Sequence, residues 1–273
     1  MVKDILVIGH CGLGDNIMCI GIVRYLRKYN SSVYVACCKK YIKNLSYFYE
    51  DDKNIILFPI VNNWNNCNIN LLKSRFKLYT LGCFYTNPQV YDYPLSFYDN
   101  ANIARKEFIN SFKIPSTTYA SVKLFNKIKL LNKKIIFMHT ETGTTFNYDI
   151  KNYEKRLNIN NNDYLYINPC TNMYSKDDKY YNLCQELLHQ ESLLFYKDII
   201  INSEIIIVTD SCFWCLSLFL NLKTKKCYYL SRCNNNFSYL WSSPNVAITL
   251  TSDKNKIISK KFGFIKNKFK KLN

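Results

Sequence analysis

Short, wholly apolar runs alternate along this chain with longer segments that carry apolar residues at helical spacing. Ile5–Gly9 is the first such run, and Asp15–Tyr29 follows it with apolar residues around most of its surface. A strand covered on both faces and feeding a packed helix reads in this way. Further strands are predicted at Val33–Cys38, Ile55–Pro59 and Lys77–Gly82, with helices near Lys40–Tyr49 and Asn102–Phe112. After Pro115 the sequence turns Lys-rich and loses its periodicity until Lys134, so a linker is expected there. The pattern then restarts, with strands at Ile135–His139, Tyr164–Asn168, Ile205–Thr209 and Lys226–Leu230. Helices are expected at Lys179–His189, Phe195–Asn202 and Ser211–Leu220. Such alternation implies two doubly wound α/β halves, each built on a parallel sheet. We place them at residues 1–130 and 131–252. In the remainder, 253–273, Ile258, Phe262, Ile265, Phe269 and Leu272 recur at helical steps among lysines, which predicts a basic amphipathic helix.

A length of 273 residues with 48% hydrophobic content suffices for two modest cores. Lysine and arginine number 37 against 20 acidic residues, a formal charge of +17 that favours phosphates, nucleic acid or anionic lipid as partners. The charge is spread along the chain and no RNA- or DNA-binding motif accompanies it, which argues against nucleic acid. The apolar run after Met1 is too brief for a signal peptide or a membrane span, so the expected location is the cytoplasm. Twelve cysteines then read as reduced thiols. Cys19, Cys37, Cys38 and Cys227 lie within apolar runs as small hydrophobes, and no disulfide framework is expected. Asn-rich stretches at 62–70, 158–162 and 234–236 read as loops.

Chemistry concentrates at two junctions between a strand and a helix. The first is His10-Cys11-Gly12-Leu13-Gly14-Asp15-Asn16. Glycines here let the backbone approach a ligand, and free amides at the helix start favour an anion or a polar oxygen. The order Gly9, Gly12, Gly14 is not the dinucleotide fingerprint, and the second strand runs into Lys39 and Lys40 where a ribose-binding acid is required, so a nicotinamide cofactor is disfavoured. From the residues alone, Asp15 is either a helix N-cap or a catalytic carboxylate. The second junction is Thr209-Asp210-Ser211 leading into Cys212 and Phe213. It places polar groups at the carboxyl edge of the sheet, where open α/β sheets hold ligands, and its bland reading is again a helix cap. His139 closes a predicted strand, either as a phosphate or sugar contact or as a structural histidine. Cys212 and Cys215 form a C-x-x-C without the second pair that a zinc site needs, and no metal is expected. His189, on a polar helix end, carries no expected role.

Gly12-Leu13-Gly14-Asp15 followed by Arg24-Tyr25-Leu26 resembles the opening of the heptosyltransferase family, GT-B enzymes in which the aspartate of this loop is the catalytic base. Asp210-Ser211 before an apolar helix is similar to the donor site of GT-B transferases, whose helix start holds the diphosphate. Leu193–Glu204 looks like the short helix preceding that strand, with Leu194 and Phe195 in the loop that approaches the nucleobase. Together with Asn172-Met173-Tyr174, the span Tyr164–Cys233 resembles small glycosyltransferases of giant DNA viruses and phages, which implies the cytoplasm of a host cell. Cys212 stands where the family has Gly, Cys215 where it has His, and the family's Ser/Thr-Lys element has no counterpart in His139–Thr145. The cation facing the diphosphate is therefore sought in Arg232, whose alternative is a solvated surface arginine.

The resemblance implies a GT-B-like α/β fold, two Rossmann-type domains facing across a cleft with a C-terminal amphipathic helix. The expected function is transfer of a sugar from a nucleoside diphosphate sugar to a hydroxyl of a glycan or other acceptor. Asp15 is the base, His10, Gly12, Leu13, Gly14 and Asn16 form the acceptor loop, and His139, Leu194, Phe195, Asp210, Ser211, Cys212, Phe213 and Arg232 bind the donor. No cofactor beyond that donor is called for, and inversion without a metal is expected. The lysines of the C-terminal helix would add weak attraction to anionic membranes. The alternatives are an inactive glycan- or nucleotide-binding protein of the same fold and, third, a nucleic-acid-binding protein.

Overall fold

The computed structural model describes residues 4–9, 12–60, 69–81, 95–115, 118–140, 159, 161–209, 211–224, 226–230, 248–250 and 257–258. His10, Asp210, Arg232 and nearly all of the expected C-terminal helix lie outside them. The chain divides between Ser116 and Thr117 into two compact units.

The first unit carries β1 (Asp4–Ile8), α1 (Leu13–Met18), α2 (Ile20–Lys28), β2 (Val33–Cys38), α3 (Ile42–Ser46), β3 (Ile55–Ile60), α4 (Ile69–Arg75), β4 (Phe76–Thr80), α5 (Leu95–Asn100) and α6 (Glu107–Asn110). Its four strands are parallel in the order β3-β2-β1-β4. Ile5 to Ile8 are all buried, as a central strand covered on both faces requires. Pro59 lies in β3, an edge strand, where a missing N–H costs no interior ladder bond. Leu6, Ile8, Ala36 and Ile60 form a cluster on one face, with Leu72 of α4 against it. The Asn-rich pattern gave no hint of α4.

Asp15–Tyr29, expected as one helix, is broken at Cys19. The cause lies elsewhere in the chain. The hydroxyl of Tyr98, from α5 and fully buried, donates to Met18 O at 3.2 Å and bonds the backbone of Ile22, the pair that an unbroken helix would join. A side chain inserted into the helical ladder is a standard origin of a kink. Gly21 makes room for it, since a Cβ there would strike the Tyr98 hydroxyl and stand 2.7 Å from Glu107 O. Further along α2, buried Arg24 donates to Phe48 O at 2.9 Å, Lys113 O at 3.2 Å and the Asp51 carboxylate at 2.5 Å. Burial pushes the Asp51 carboxyl up, but Lys113 and Arg24 outweigh it and hold the group below its usual range. Arg24 thus fastens α2 to the segments around it, a structural role for one residue of the Arg24-Tyr25-Leu26 motif.

The second unit begins with α7 (Tyr119–Lys129), where a linker was expected. Thr118 caps it by accepting from Ser121 N, and Ser121, Leu124 and Ile128 turn inward. Only three positions of its eleven residues are buried, so lysines obscure the helical period. Then follow β5 (Lys134–His139), β6 (Tyr164–Ile167), α8 (Tyr181–Glu186), a 3-10 turn (Leu193–Tyr196), α9 (Lys197–Asn202), β7 (Ile205–Thr209), α10 (Cys212–Ser217), β8 (Cys227–Leu230), β9 (Ile248–Leu250) and β10 (Ile257–Ile258). The sheet order is β10-β9-β8-β7-β5-β6, parallel except for β10. Ile258, placed by its spacing in the C-terminal helix, lies in β10 opposite Thr249 of β9, so that helix does not begin before it. His189 follows α8 with φ 48° and donates its N–H to Pro169 O at 2.8 Å, a turn-forming role. Among the described residues no helix is long and apolar enough to cross a membrane, and eight cysteines are all free of disulfides.

Replacing Gly21 with alanine forces a Cβ against Tyr98 and the Glu107 carbonyl. Urea unfolding is expected to show a loss of about 1–3 kcal/mol. An unchanged midpoint would mean that the helix break is not held by this close approach.

Candidate functional site

In each unit the strand order reverses beside a strand that ends in one of the two motifs. In the first unit, β2 and β3 lie on one side of β1 and β4 on the other. In the second, β6 lies on one side of β5, while β7 and β8 extend from the other. Connections leaving such a pair of strands diverge, and the crevice at their carboxyl ends is where open α/β sheets bind ligands.

At the first reversal the glycine loop leaves β1. Gly12 takes the N-cap position of α1 with an extended backbone, φ −74° and ψ 148°. Asp15 therefore is not the N-cap, because the chain enters the helix earlier than an aspartate cap would place it. The acid lies in the first turn, half-buried, and its carboxylate folds back over Gly12 so closely that a Cβ on Gly12 would collide with Oδ2. Asn16 is buried, and its side chain donates to Gly12 O at 2.8 Å, which ties the loop to the helix. Leu13 and Gly14 complete the turn.

At the second reversal, β5 and β7 run side by side with His139 opposite Val208. The His139 ring Nδ1 lies 3.0 Å from Ser211 Oγ, a hydrogen bond across 72 residues of sequence. Ser211 holds the N-cap position of α10, yet its hydroxyl makes no cap bond and turns to the histidine instead. Phe213 underlies this pair, its ring 4.7 Å from His139, 5.3 Å from Phe137 and 5.5 Å from Tyr196. Edge and tilted contacts of this kind fix ring orientation as well as burying area. Phe213, expected at the donor, is thus a core residue that supports His139. Leu194 and Phe195 are likewise buried in the 3-10 turn, where the Ser192 hydroxyl accepts from Leu194 N. Their side chains are spent on packing.

Cys212 stands at the start of α10 with its thiol pushed up to about 12 by burial and by Cys170, so it is neutral. Thr140, Asn168 and Thr209 are buried polar residues at or just past the ends of β5, β6 and β7, of which the sequence motifs included only Thr209 as a polar group of the junction. Asn168 Oδ1 accepts from Cys170 N at 2.9 Å, which turns the chain away from the strand. Lys197, opening α9, is buried, and that burial lowers its pKa. Among the described residues no three His, Cys, Asp or Glu side chains group as metal ligands. A groove of about 770 Å³ lined by Lys133, Tyr164, Tyr174 and Tyr180 lies towards the amino ends of β5 and β6, away from His139.

Each unit is thus a parallel-sheet α/β unit with a loop at its strand-order reversal, a doubly wound arrangement. The structure is similar to the glycosyl transferase family 9 protein from Veillonella parvula DSM 2008, at 12% identity and a TM-score of 0.51, over 99% of this chain and 91% of that one. It is also similar to E. coli ADP-heptose LPS heptosyltransferase II (14% identity, TM-score 0.47, 91% and 89% of the two chains). E. coli heptosyltransferase WaaC with ADP matches at 8% identity and a TM-score of 0.48, over 99% and 100%. No protein-family model matches the sequence, and no curated protein sequence matches it.

A double-mutant cycle tests the packing of Asp15 on Gly12. Gly12→Ala is expected to cost about 1–3 kcal/mol in the wild-type background and clearly less beside Asp15→Ala, since the collision then disappears. Additive costs would mean that the carboxylate does not lie over the glycine.

Proposed function

We propose that this protein transfers a sugar from a nucleoside diphosphate sugar to an acceptor hydroxyl. The observation that carries the reading is the His139–Ser211 pair at the reversal between β5 and β7, in a chain whose fold matches a family 9 glycosyltransferase along almost its whole length. The E. coli neighbours are heptosyltransferases, one of them solved with ADP, and a nucleoside diphosphate donor is the reading carried to this chain. Asp15 acts as the base, taking the proton of the acceptor hydroxyl as its oxygen attacks the anomeric carbon. The bond from that carbon to the diphosphate oxygen breaks in the same step, so a fixed base gives single displacement with inversion.

Charge on the departing diphosphate is met by the amides of Ser211, Cys212 and Phe213, with Asp210 beside them in sequence and Arg232 as the added cation. Leaving-group charge is thereby assigned to protein groups, and turnover is expected to survive chelation of divalent metal.

A thermal-shift panel of UDP, GDP, ADP, CMP and their common sugar conjugates, followed by hydrolysis of any hit, tests the proposal. One nucleotide family should stabilise the protein, less so in Ser211→Ala. Asp15→Ala should keep that stabilisation and lower turnover by about 10²–10⁴-fold. Retained anomeric configuration in the product would overturn the single displacement. Stabilisation without any turnover would favour the inactive binding protein, and no stabilisation at all would remove the donor site.

A further inference from the structure

The outer face of α7 carries apolar side chains that the second unit does not bury. Tyr119 is 83% exposed and Leu130, its C-cap residue, is 89% exposed. They are eleven positions apart, about three turns at 3.6 residues per turn, so they project from one side of the helix. Val122, at 38% exposure, lies between them on that side. The inner side is fully accounted for by Ser121, Leu124 and Ile128, which pack towards the 3-10 turn and α9. The outer stripe therefore contributes nothing to this unit's core.

Charge carried by the helix itself has a single sign. From Thr118 to Lys134 the sequence holds five lysines, at 123, 127, 129, 133 and 134, and no aspartate or glutamate. Lys123 and Lys129 flank the apolar stripe and are exposed. Lys127 pairs with Glu186, the acid that reaches this helix from α8. Exposed apolar groups ringed by lysines suit a surface that offers acyl chains and anionic headgroups together, because lysine stems can lie along apolar surface while their ammonium groups stay in the headgroup layer.

We propose that α7 is a membrane-docking face that lays Tyr119, Val122 and Leu130 into the interface of an anionic bilayer, with Lys123 and Lys129 on its headgroups. The face lies in a segment separate in sequence from the C-terminal lysines and is independent of the reaction assigned above. Two aliphatic residues and one aromatic make the association reversible and dependent on anionic lipid, since each basic residue near such a surface contributes roughly a fivefold gain in partition. Nucleic acid is the lesser match, because phosphates give Leu130 and Val122 nothing to bury against.

Sedimentation of the full chain with vesicles tests this, using phosphatidylcholine alone and phosphatidylcholine with about one-third phosphatidylglycerol. The protein should pellet with the anionic vesicles and not with the neutral ones. The double variant Tyr119→Ser/Leu130→Ser and the double variant Lys123→Gln/Lys129→Gln should each weaken partition by at least about fivefold and keep the wild-type melting temperature, as their sites are exposed. Three results would overturn the proposal. The wild type does not pellet with anionic vesicles; or the serine variant pellets as the wild type does, which assigns the attraction to lysines elsewhere; or the protein prefers duplex DNA at equal phosphate and the glutamine substitutions weaken DNA binding alone.

Discussion

Where two parallel strands end side by side and their chains leave in opposite directions, the backbone opens a gap at the strand ends. The rest of the second unit is arranged around that constraint. β5 and β7 are neighbouring interior strands, buried apart from Lys134 at the start of β5, and their ends are joined by a side-chain hydrogen bond between His139 and Ser211. Phe213 packs against the histidine and is itself held by Phe137 and Tyr196, so a polar pair at the crevice rests on an apolar base. The same arrangement explains why Ser211 forgoes its cap: the hydroxyl has a partner from the neighbouring strand.

In the first unit the equivalent control is exerted on a helix start. Gly12 lets the Asp15 carboxylate fold back over the loop, and Asn16 holds the loop carbonyl. Four residues further on, Tyr98 enters the helical ladder and ends α1. The short helix carrying Asp15 is thus defined at one end by a glycine and at the other by a tyrosine from α5. Asn100 of that same α5 donates to Leu81 O, and Leu81 N donates to Ile8 O, so the tyrosine is itself anchored to the end of β1.

The central strands were legible in the sequence because burial on both faces leaves an uninterrupted apolar run. β2 and β7 fall on their expected residues, and β1 and β5 within one position. Helices were less so. α7 hides its three buried positions among lysines, α4 lies beside an asparagine-rich stretch, and the break at Cys19 depends on a tyrosine 79 positions away, which local pattern does not contain. At the sites, residue type exposed the glycine loop and the Asp-Ser junction, while the division of labour within them needed coordinates. Phe213, Leu194 and Phe195 have side chains buried in the core, and His139 gained its partner only when two distant segments met.

The central claim is that the crevice at the ends of β5 and β7 receives a nucleoside diphosphate. Imidazole resonances of the three histidines, followed by NMR during titration with the nucleotide that stabilises the protein, test it most directly. The account predicts a saturable shift of the His139 signals, assigned by their loss in His139→Gln, with His189 unmoved. Saturable binding that leaves His139 unchanged would contradict it.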